Sequence, residues 1–203
     1  KKAAKKLKEE DYKGYFFSYF AGEGYADGEQ IYFAASKNGL KWYDLNDNEP
    51  VLTSDQGEKG VRGPFILRSA EGDKFYMIAT DLKINGGNGW GAAQTSGSQS
   101  LMVWESTDLV NWSDMRMVEV SASINAGCTW APEATYDPIT GEYIVYWASK
   151  VSEDNYGKQR VYYAKTRDFY TFTEPKVYIE DKTESCIDTT IIYNKEEQMR
   201  SEE

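Results

Sequence analysis

The chain has 203 residues, enough for one domain with a sizeable core, and its aromatic content of 15% favours β-strands. Its net charge of −10 argues against a nucleic-acid surface, because phosphate binding needs clustered Lys and Arg. The absence of histidine from these residues excludes a His-containing catalytic triad and any His-based metal site within them.

The first twelve residues form a charged segment that contains the chain's one basic cluster, "KKAAKKLKE". This cluster lacks the interleaved aromatic residues of a nucleic-acid-binding surface, so we interpret residues 1–12 as a solvated lead-in or linker. Residues 13–203 are then predicted to form one domain. No apolar run approaches the roughly 20 residues that a membrane span needs.

A repeated strand-and-turn pattern follows. Each copy has an apolar strand, then Ser or Thr, one residue, Asn or Asp, and an aromatic residue four positions later: "IYFAASKNGLKW" (31–42), "LMVWESTDLVNW" (101–112) and "VYYAKTRDFYTF" (161–172). The hydroxyl and Asx side chains predict a tight turn, because they form hydrogen bonds with nearby backbone groups. We expect the aromatic residues, Trp42 and Trp112 among them, to fold back over the turn and pack there.

Two further classes of strand accompany this pattern. Strands that are apolar on both faces precede each copy, which indicates sheets packed against further sheets, at 14–21, 74–81 and 142–149. Another class of strand lies just before the second and third of these, at 64–69 and 132–137. A strand of the same class at 187–193 begins a further unit. The Gly- and Ser-rich stretch 83–100 is predicted to be an excursion loop.

The repeat has a period of roughly 60 to 70 residues and three or four antiparallel strands, which is typical of β-propeller blades. About two complete blades and parts of two others are predicted. Propellers close by letting one terminus complete the blade of the other, which removes exposed strand edges. We therefore expect an all-β propeller that is incomplete in this chain.

Three inner-strand starts carry chemically distinctive residues, and these starts converge near one face of a propeller's central channel. They are Gly63-Pro64, Trp130 to Glu133, and Ile187-Asp188-Thr189. Facing inner strands suit glycoside hydrolysis, which needs two carboxyl groups about a pocket, roughly 6.5–9.5 Å apart for inversion. Aromatic rings stack on the C–H faces of sugars, and the candidate platforms are Trp90, Trp130 and Trp147.

Four segments together resemble glycoside hydrolase family 43, the five-bladed β-propeller enzymes that release arabinose and xylose from plant polysaccharides. They are "GVRGPFILRSAEGDKFYMIATDLKI", "LMVWESTDLVNWS", "WAPEATYDPITGEYIVYWAS" and "IDTTII". The resemblance covers about residues 13–193. It implies a five-bladed fold and a carbohydrate substrate such as an arabinofuranoside or xyloside. We also expect no cofactor or metal, and a secreted or cell-surface location rather than a cytoplasmic one.

The resemblance also assigns residues to an inverting mechanism with an Asp base, a Glu acid and a second Asp that tunes the acid. Gly63 occupies the position of the base, within Arg62-Gly63-Pro64. Asp188 matches the tuning Asp, although Thr189 replaces the family's Pro, and Glu133 matches an acidic residue of the pocket. The Glu acid is expected beyond residue 203. Because glycine cannot accept a proton, this chain is predicted to be impaired as an enzyme.

Several alternatives remain open. Asp188 and Glu133 alternatively hold strand starts through backbone hydrogen bonds, and Trp130 and Trp147 alternatively belong to the core. Arg62 either pairs with one of the two acids or covers a blade edge, and the whole domain is alternatively a non-catalytic carbohydrate-binding or purely structural propeller.

Three other residues receive a structural interpretation. Asp81 is interpreted as a strand-end residue rather than a catalyst. Cys128 and Cys186 each lie two residues before a distinctive position, which makes them candidate neighbours, but two cysteines are too few for a disulfide framework and we do not favour a bond between them.

Overall fold

The computed structural model describes residues 9–194 and 199–202. Residues 1–8 of the predicted lead-in lie outside these ranges, and Glu9–Asp11 form a 3-10 turn. The strands are β1 (Tyr15–Tyr19), β2 (Tyr32–Ser36), β3 (Trp42–Asp44), β4 (Val61–Arg68), β5 (Phe75–Asp81), β6 (Ser100–Ser106), β7 (Arg116–Glu119), β8 (Trp130–Asp137), β9 (Glu142–Ser149), β10 (Arg160–Thr166), β11 (Lys176–Ile179), β12 (Ile191–Asn194) and β13 (Met199–Glu202).

The described strands form four antiparallel sheets. Their orders are β1-β2-β3, β4-β5-β6-β7, β8-β9-β10-β11 and β12-β13. The second and third sheets each contain the four strands of one sequence repeat, and each strand pairs with its neighbour along the chain. This confirms the predicted all-β class and the antiparallel repeat.

The predicted turns are confirmed by their hydrogen bonds. In the second copy, Ser106 Oγ accepts from the Leu109 N–H at 2.8 Å, while Asp108 Oδ1 accepts from the amides of Val110 and Asn111. The first and third copies use Ser36 with Asn38 and Thr166 with Asp168 in the same way. The indoles of Trp42 and Trp112 fold back and donate to carbonyls of their own turns.

The core lies between successive sheets. One face of β5 presents Met77 and Ala79 to the first sheet, where they meet Phe33. The opposite face presents Tyr76 and Ile78 to the third sheet, as residues that alternate along a strand must do. A third cluster joins the third sheet to Ile191 at the start of β12. β5 and β9 are therefore buried on both faces, as their sequences predict, whereas β1 is not, because its Phe17 is 52% exposed.

The stretch 83–100 differs in part from the predicted loop. It contains α1, a helix of seven residues at Gly89–Thr95, which carries Trp90. A seven-residue helix has no amphipathic repeat long enough to stand out from Gly- and Ser-rich sequence, so periodicity does not detect it. Among the described residues, no helix is long and apolar enough to cross a membrane.

Both cysteines are free. Cys128 is buried, its Sγ accepts from Gln159 Nε2 at 3.5 Å, and burial raises the pKa of its thiol. The backbone N–H of Cys186 donates to the Gln159 carbonyl, so the two cysteines approach the same residue without forming a disulfide.

Candidate functional site

Three strand starts share a left-handed backbone conformation. Gly63 has a φ of 53°, Ala131 of 50° and Asp188 of 57°. The register of β4 shifts between Arg62 and Phe65, and that of β8 shifts between Trp130 and Glu133, so each strand has a bulge at this point. Gly63, Ala131 and Asp188 are therefore equivalent positions in successive sheets.

These three positions meet at one pocket of about 260 Å³. Five predicted site residues line it: Arg62, Gly63, Trp90, Trp130 and Asp188. Ala131 and Ile187, which belong to the distinctive strand starts, also line it, and three residues that the sequence did not single out complete the lining: Phe20, Thr80 and Leu82. The pocket floor joins two sheets, because the Ala131 N–H donates to Thr80 Oγ1 at 2.9 Å.

Asp188 supplies the carboxylate of this pocket. It is exposed, and among the described residues its carboxylate has no hydrogen-bond or ion-pair partner. At the equivalent place on β4, Gly63 supplies no side chain at all. The pocket therefore presents one available carboxylate within a mostly aromatic and aliphatic wall.

Arg62 lies within an aromatic clamp, which we define as the rings of Phe20 and Trp90 with the guanidinium between them. The guanidinium carbon lies 4.7 Å from the Phe20 ring centroid and 4.8 Å from that of Trp90. Both distances are in the range of cation–π interactions. Trp90 also meets Trp130 edge-to-face at 5.9 Å, so the two indoles form adjoining walls of the pocket.

Of the alternatives left open for Arg62, pairing with Asp188 or Glu133 is not the one that the structure shows. Arg62 Nη1 instead lies 2.9 Å from Glu29 Oε1 and 3.1 Å from Glu23 Oε2. Both partners precede β2, in a loop that reaches the pocket rim. The position of Glu29 just before an apolar strand was the one sequence signal available, since a charge there needs a buried partner.

Glu133 lies outside the residues that line the pocket. Its Oε2 accepts hydrogen bonds from Tyr146 Oη at 3.1 Å and from Thr190 Oγ1 at 2.5 Å. Burial and the nearby Glu133 carboxylate raise the pKa of Tyr146, whose hydroxyl also accepts from the Ile191 N–H. Glu133 therefore ties β8 to the segment that carries Asp188, and its predicted part in the reaction stays a prediction.

Trp147 is not a sugar platform in this structure, contrary to its assignment from the sequence. Its side chain is 1% exposed and packs in the core between the second and third sheets. Its indole N–H donates to Ser149 Oγ, so its polar atom is satisfied internally. The burial of Trp147 follows from its place in β9, because alternate residues of this strand face the two neighbouring sheets and neither face is exposed to solvent.

Asp81 ends β5, as interpreted, and is buried beside the pocket rather than lining it. Its Oδ1 accepts from the Glu58 N–H at 2.9 Å. Among the described residues, its Oδ2 has no hydrogen-bond partner. Burial raises the pKa of this carboxyl to about 6.

The comparisons with known proteins identify the family. The model of the glycoside hydrolase family 43-related family, described as "Probable glycosyl hydrolase domain", matches residues 10–202. The chain belongs to this family. The domain is also 38% identical over 183 residues to an α-L-arabinofuranosidase of Bifidobacterium longum subsp. longum, covering 81% of this chain and 17% of that protein. It therefore spans less than a fifth of the length of this curated relative.

Solved glycoside hydrolases share the fold of this family-43-related domain. A family 32 β-fructofuranosidase of Bombyx mori superposes with a TM-score of 0.61 at 17% identity, covering 91% of this chain and 39% of that one. The family 93 α-L-arabinofuranosidase of Fusarium graminearum with arabinobiose gives 0.54 at 18%, covering 91% and 55%. A thermostable family-43 glycoside hydrolase gives 0.50 at 20%, covering 71% and 41%.

Proposed function

We propose that this domain is a glycoside hydrolase module whose pocket receives a terminal arabinofuranosyl or xylosyl unit of a plant polysaccharide. The observation that carries the proposal is the convergence of Gly63, Ala131 and Asp188 on one pocket walled by Trp90 and Trp130. A pocket of about 260 Å³ suits one small sugar ring, and its aromatic walls suit the ring's C–H faces.

The proposed reaction is an inverting hydrolysis in which this chain supplies only part of the machinery. Inversion needs a base that holds water against the anomeric carbon and an acid that protonates the leaving oxygen. Asp188 is proposed to tune the acid, which a further segment of the protein would supply. Gly63 occupies the proposed position of the base, so we propose that hydrolysis by this chain is impaired.

We further propose that the four sheets belong to a closed five-bladed propeller and that this chain supplies part of it. Tyr15 pairs with Ser36 as Tyr143 pairs with Thr166, and counting two residues along each strand aligns Phe17 with Val145. Val145 is fully buried against the preceding sheet, whereas Phe17 is 52% exposed. This exposed face supports a further blade that covers it in the whole protein.

The test is to introduce the missing carboxylate. A Cβ atom at Gly63 would lie 3.8 Å from Ala131 Cα and from Thr80 Oγ1, so the space admits a side chain. Asp188 already shows an aspartate in the same left-handed conformation. We expect Gly63→Asp to give hydrolytic activity toward 4-nitrophenyl α-L-arabinofuranoside or β-D-xyloside in a longer protein that contains all five proposed blades.

The comparison needs both chain lengths and a matched control. Gly63→Asn has the same shape as Gly63→Asp but cannot act as a base, so it should remain inactive in either chain. The 203-residue chain should bind the sugar weakly and stay inactive with or without the Gly63→Asp change, because the proposal places the acid outside these residues. Equal hydrolysis by the long chain that keeps Gly63 and by the long Gly63→Asp variant would overturn the assignment of the base.

A further inference from the structure

Glu29 is a buried carboxylate that the proposed reaction does not use. Its side chain is 1% exposed, and it lies directly before the Gln30–Ile31 approach to β2. Burying a charge is costly unless the charge is paired and hydrogen-bonded. The contacts of Glu29 meet that condition and also show what the residue holds together.

Three groups converge on its two oxygens. Oε1 accepts from Arg62 Nη1 at 2.9 Å and from the Ile84 N–H at 2.7 Å, and Oε2 accepts from the Asn85 N–H at 2.8 Å. Ile84 and Asn85 begin the segment 82–99, which contains α1 and Trp90. One carboxylate therefore fixes both Arg62 and the root of the loop that brings Trp90 to the pocket.

Arg62 and the loop root, both of which Glu29 holds, also come together at Trp90 on the pocket rim. The guanidinium that Glu29 holds is the one that lies 4.8 Å from the Trp90 ring centroid, and Trp90 is 42% exposed on a short helix. α1 buries none of its residues, so the fold gives it little packing of its own. The orientation of Trp90 consequently depends on Arg62 on one side and on the loop root on the other.

We propose that Glu29 is a positioning residue that holds Trp90 as a wall of the pocket and so sets its affinity for the terminal sugar. The effect on sugar affinity rests on the proposed function, whereas the positioning of Trp90 concerns the protein without ligand. Removing the charge of Glu29 releases the guanidinium and the loop root together. Trp90 then loses the stacking geometry that a sugar ring requires.

Glu29→Gln tests the proposal, because glutamine keeps the size of the side chain and loses the charge and one acceptor. In the ligand-free protein, we expect backbone amide hydrogen exchange in segment 82–99 to become about tenfold faster. We also expect acrylamide to quench Trp90 emission more strongly, measured as the difference from a Trp90→Phe counterpart. Glu23→Gln is the matched control: Glu23 contacts the same Arg62 nitrogen but is largely exposed and holds no loop amide through its carboxylate, so both readouts should stay near wild type.

A double-mutant cycle separates positioning from general destabilisation. With 4-nitrophenyl α-L-arabinofuranoside as the probe, Glu29→Gln should weaken binding about tenfold in the wild-type background and by less than about twofold in a Trp90→Ala background. An equal loss in both backgrounds would overturn the proposal, since Glu29 would then act independently of Trp90. If the wild-type protein binds no sugar, the proposed function fails, and the ligand-free measurements alone decide whether Glu29 positions Trp90.

Arg62→Lys keeps the test decisive if Glu29→Gln fails to fold. Lysine retains a charge for Glu29 but lacks the planar group that stacks on an indole. We expect exchange at Ile84 and Asn85 to remain near wild type while Trp90 emission changes as in Glu29→Gln. Unchanged Trp90 emission would contradict the proposed route through Arg62.

Discussion

Gly63 and Asp188 hold the same left-handed backbone conformation at two equivalent strand starts, with φ values of 53° and 57°, and both line one pocket. One position presents a carboxylate and the other presents none. The left-handed conformation therefore occurs here both with and without a side chain, and the chemistry of the pocket depends on which residue stands there.

The left-handed backbone conformation predicts opposite changes in stability for substitutions at Gly63 and at Ala131. Gly63→Ala should lower the free energy of unfolding by about 1 kcal/mol, and Ala131→Gly should raise it by up to about 1 kcal/mol, because a Cβ atom is strained at positive φ. Urea unfolding of both variants measures the pair. Equal destabilisation by both would show that packing rather than backbone strain controls these bulges.

The repeated turns could be predicted from the sequence because their chemistry is local. Ser36 and Asn38 bond to amides two or three residues away, so a short stretch of sequence contains all the information the turn needs. The pocket lining at Arg62 and Asp188 was also predicted, but through resemblance to a family as well as through the repeat. Both the turns and the strand starts occur in several copies in the chain, so one copy can be aligned with another.

Long-range partners could not be predicted in the same way. Glu29 bonds to Arg62, 33 residues away, and to the Ile84 amide, 55 residues away, and no repeated pattern joins these positions. The assignment of Trp147 was wrong for a different reason. Its strand is apolar on both faces, so alternation does not reveal which residues face the core and which face a pocket.

The two tryptophans Trp130 and Trp147 should therefore respond differently to truncation. Trp147→Ala is expected to cost about 3–5 kcal/mol of stability, because it empties a closely packed core position. Trp130→Ala should cost much less and should weaken binding of arabinofuranosyl or xylosyl ligands about tenfold. Thermal melting and calorimetric titration distinguish the two effects, and a Trp130 variant that binds as well as wild type would remove this ring from the pocket's function.

The exposed aromatic face of the first sheet predicts self-association of the 203-residue chain. Phe17 and Trp42 have ring centroids 5.5 Å apart on this face, and both are substantially exposed. Apolar patches of this kind associate in water. Sedimentation velocity should show concentration-dependent oligomers that Phe17→Thr and Trp42→Thr reduce.

A control variant tests whether the face itself is responsible. Leu40 is 88% exposed in the neighbouring turn, so Leu40→Thr removes a comparable apolar side chain elsewhere and should leave the oligomers unchanged. A wild-type chain that stays monomeric at high concentration would argue against an uncovered blade face.

Asp81 predicts a pH dependence whose sign follows from its burial. The folded-state pKa is about 6, above the ordinary value of 3.8, so protonated Asp81 is favoured in the folded protein. Its stabilising contribution is fully present below the unfolded-state pKa and is lost as the pH rises through 6. Asparagine at this position keeps an acceptor for the Glu58 N–H and carries no charge at any pH. Relative to wild type, Asp81→Asn should therefore gain stability as the pH rises from about 4 to about 6, and above that range its advantage should stay at about 2–3 kcal/mol.

Urea unfolding at a series of pH values measures this difference directly. Asp114→Asn serves as the control for the loss of one carboxylate, because Asp114 is exposed in the connection between β6 and β7, at the opposite end of this sheet from Asp81. The Asp81→Asn and wild-type profiles should diverge between about pH 4 and pH 6, because in that interval the unfolded chain has released this proton while the folded protein still holds it. A profile that stays parallel for Asp81→Asn would mean that the Asp81 carboxylate is solvated in the folded protein, with water reaching Oδ2 beside Gly57.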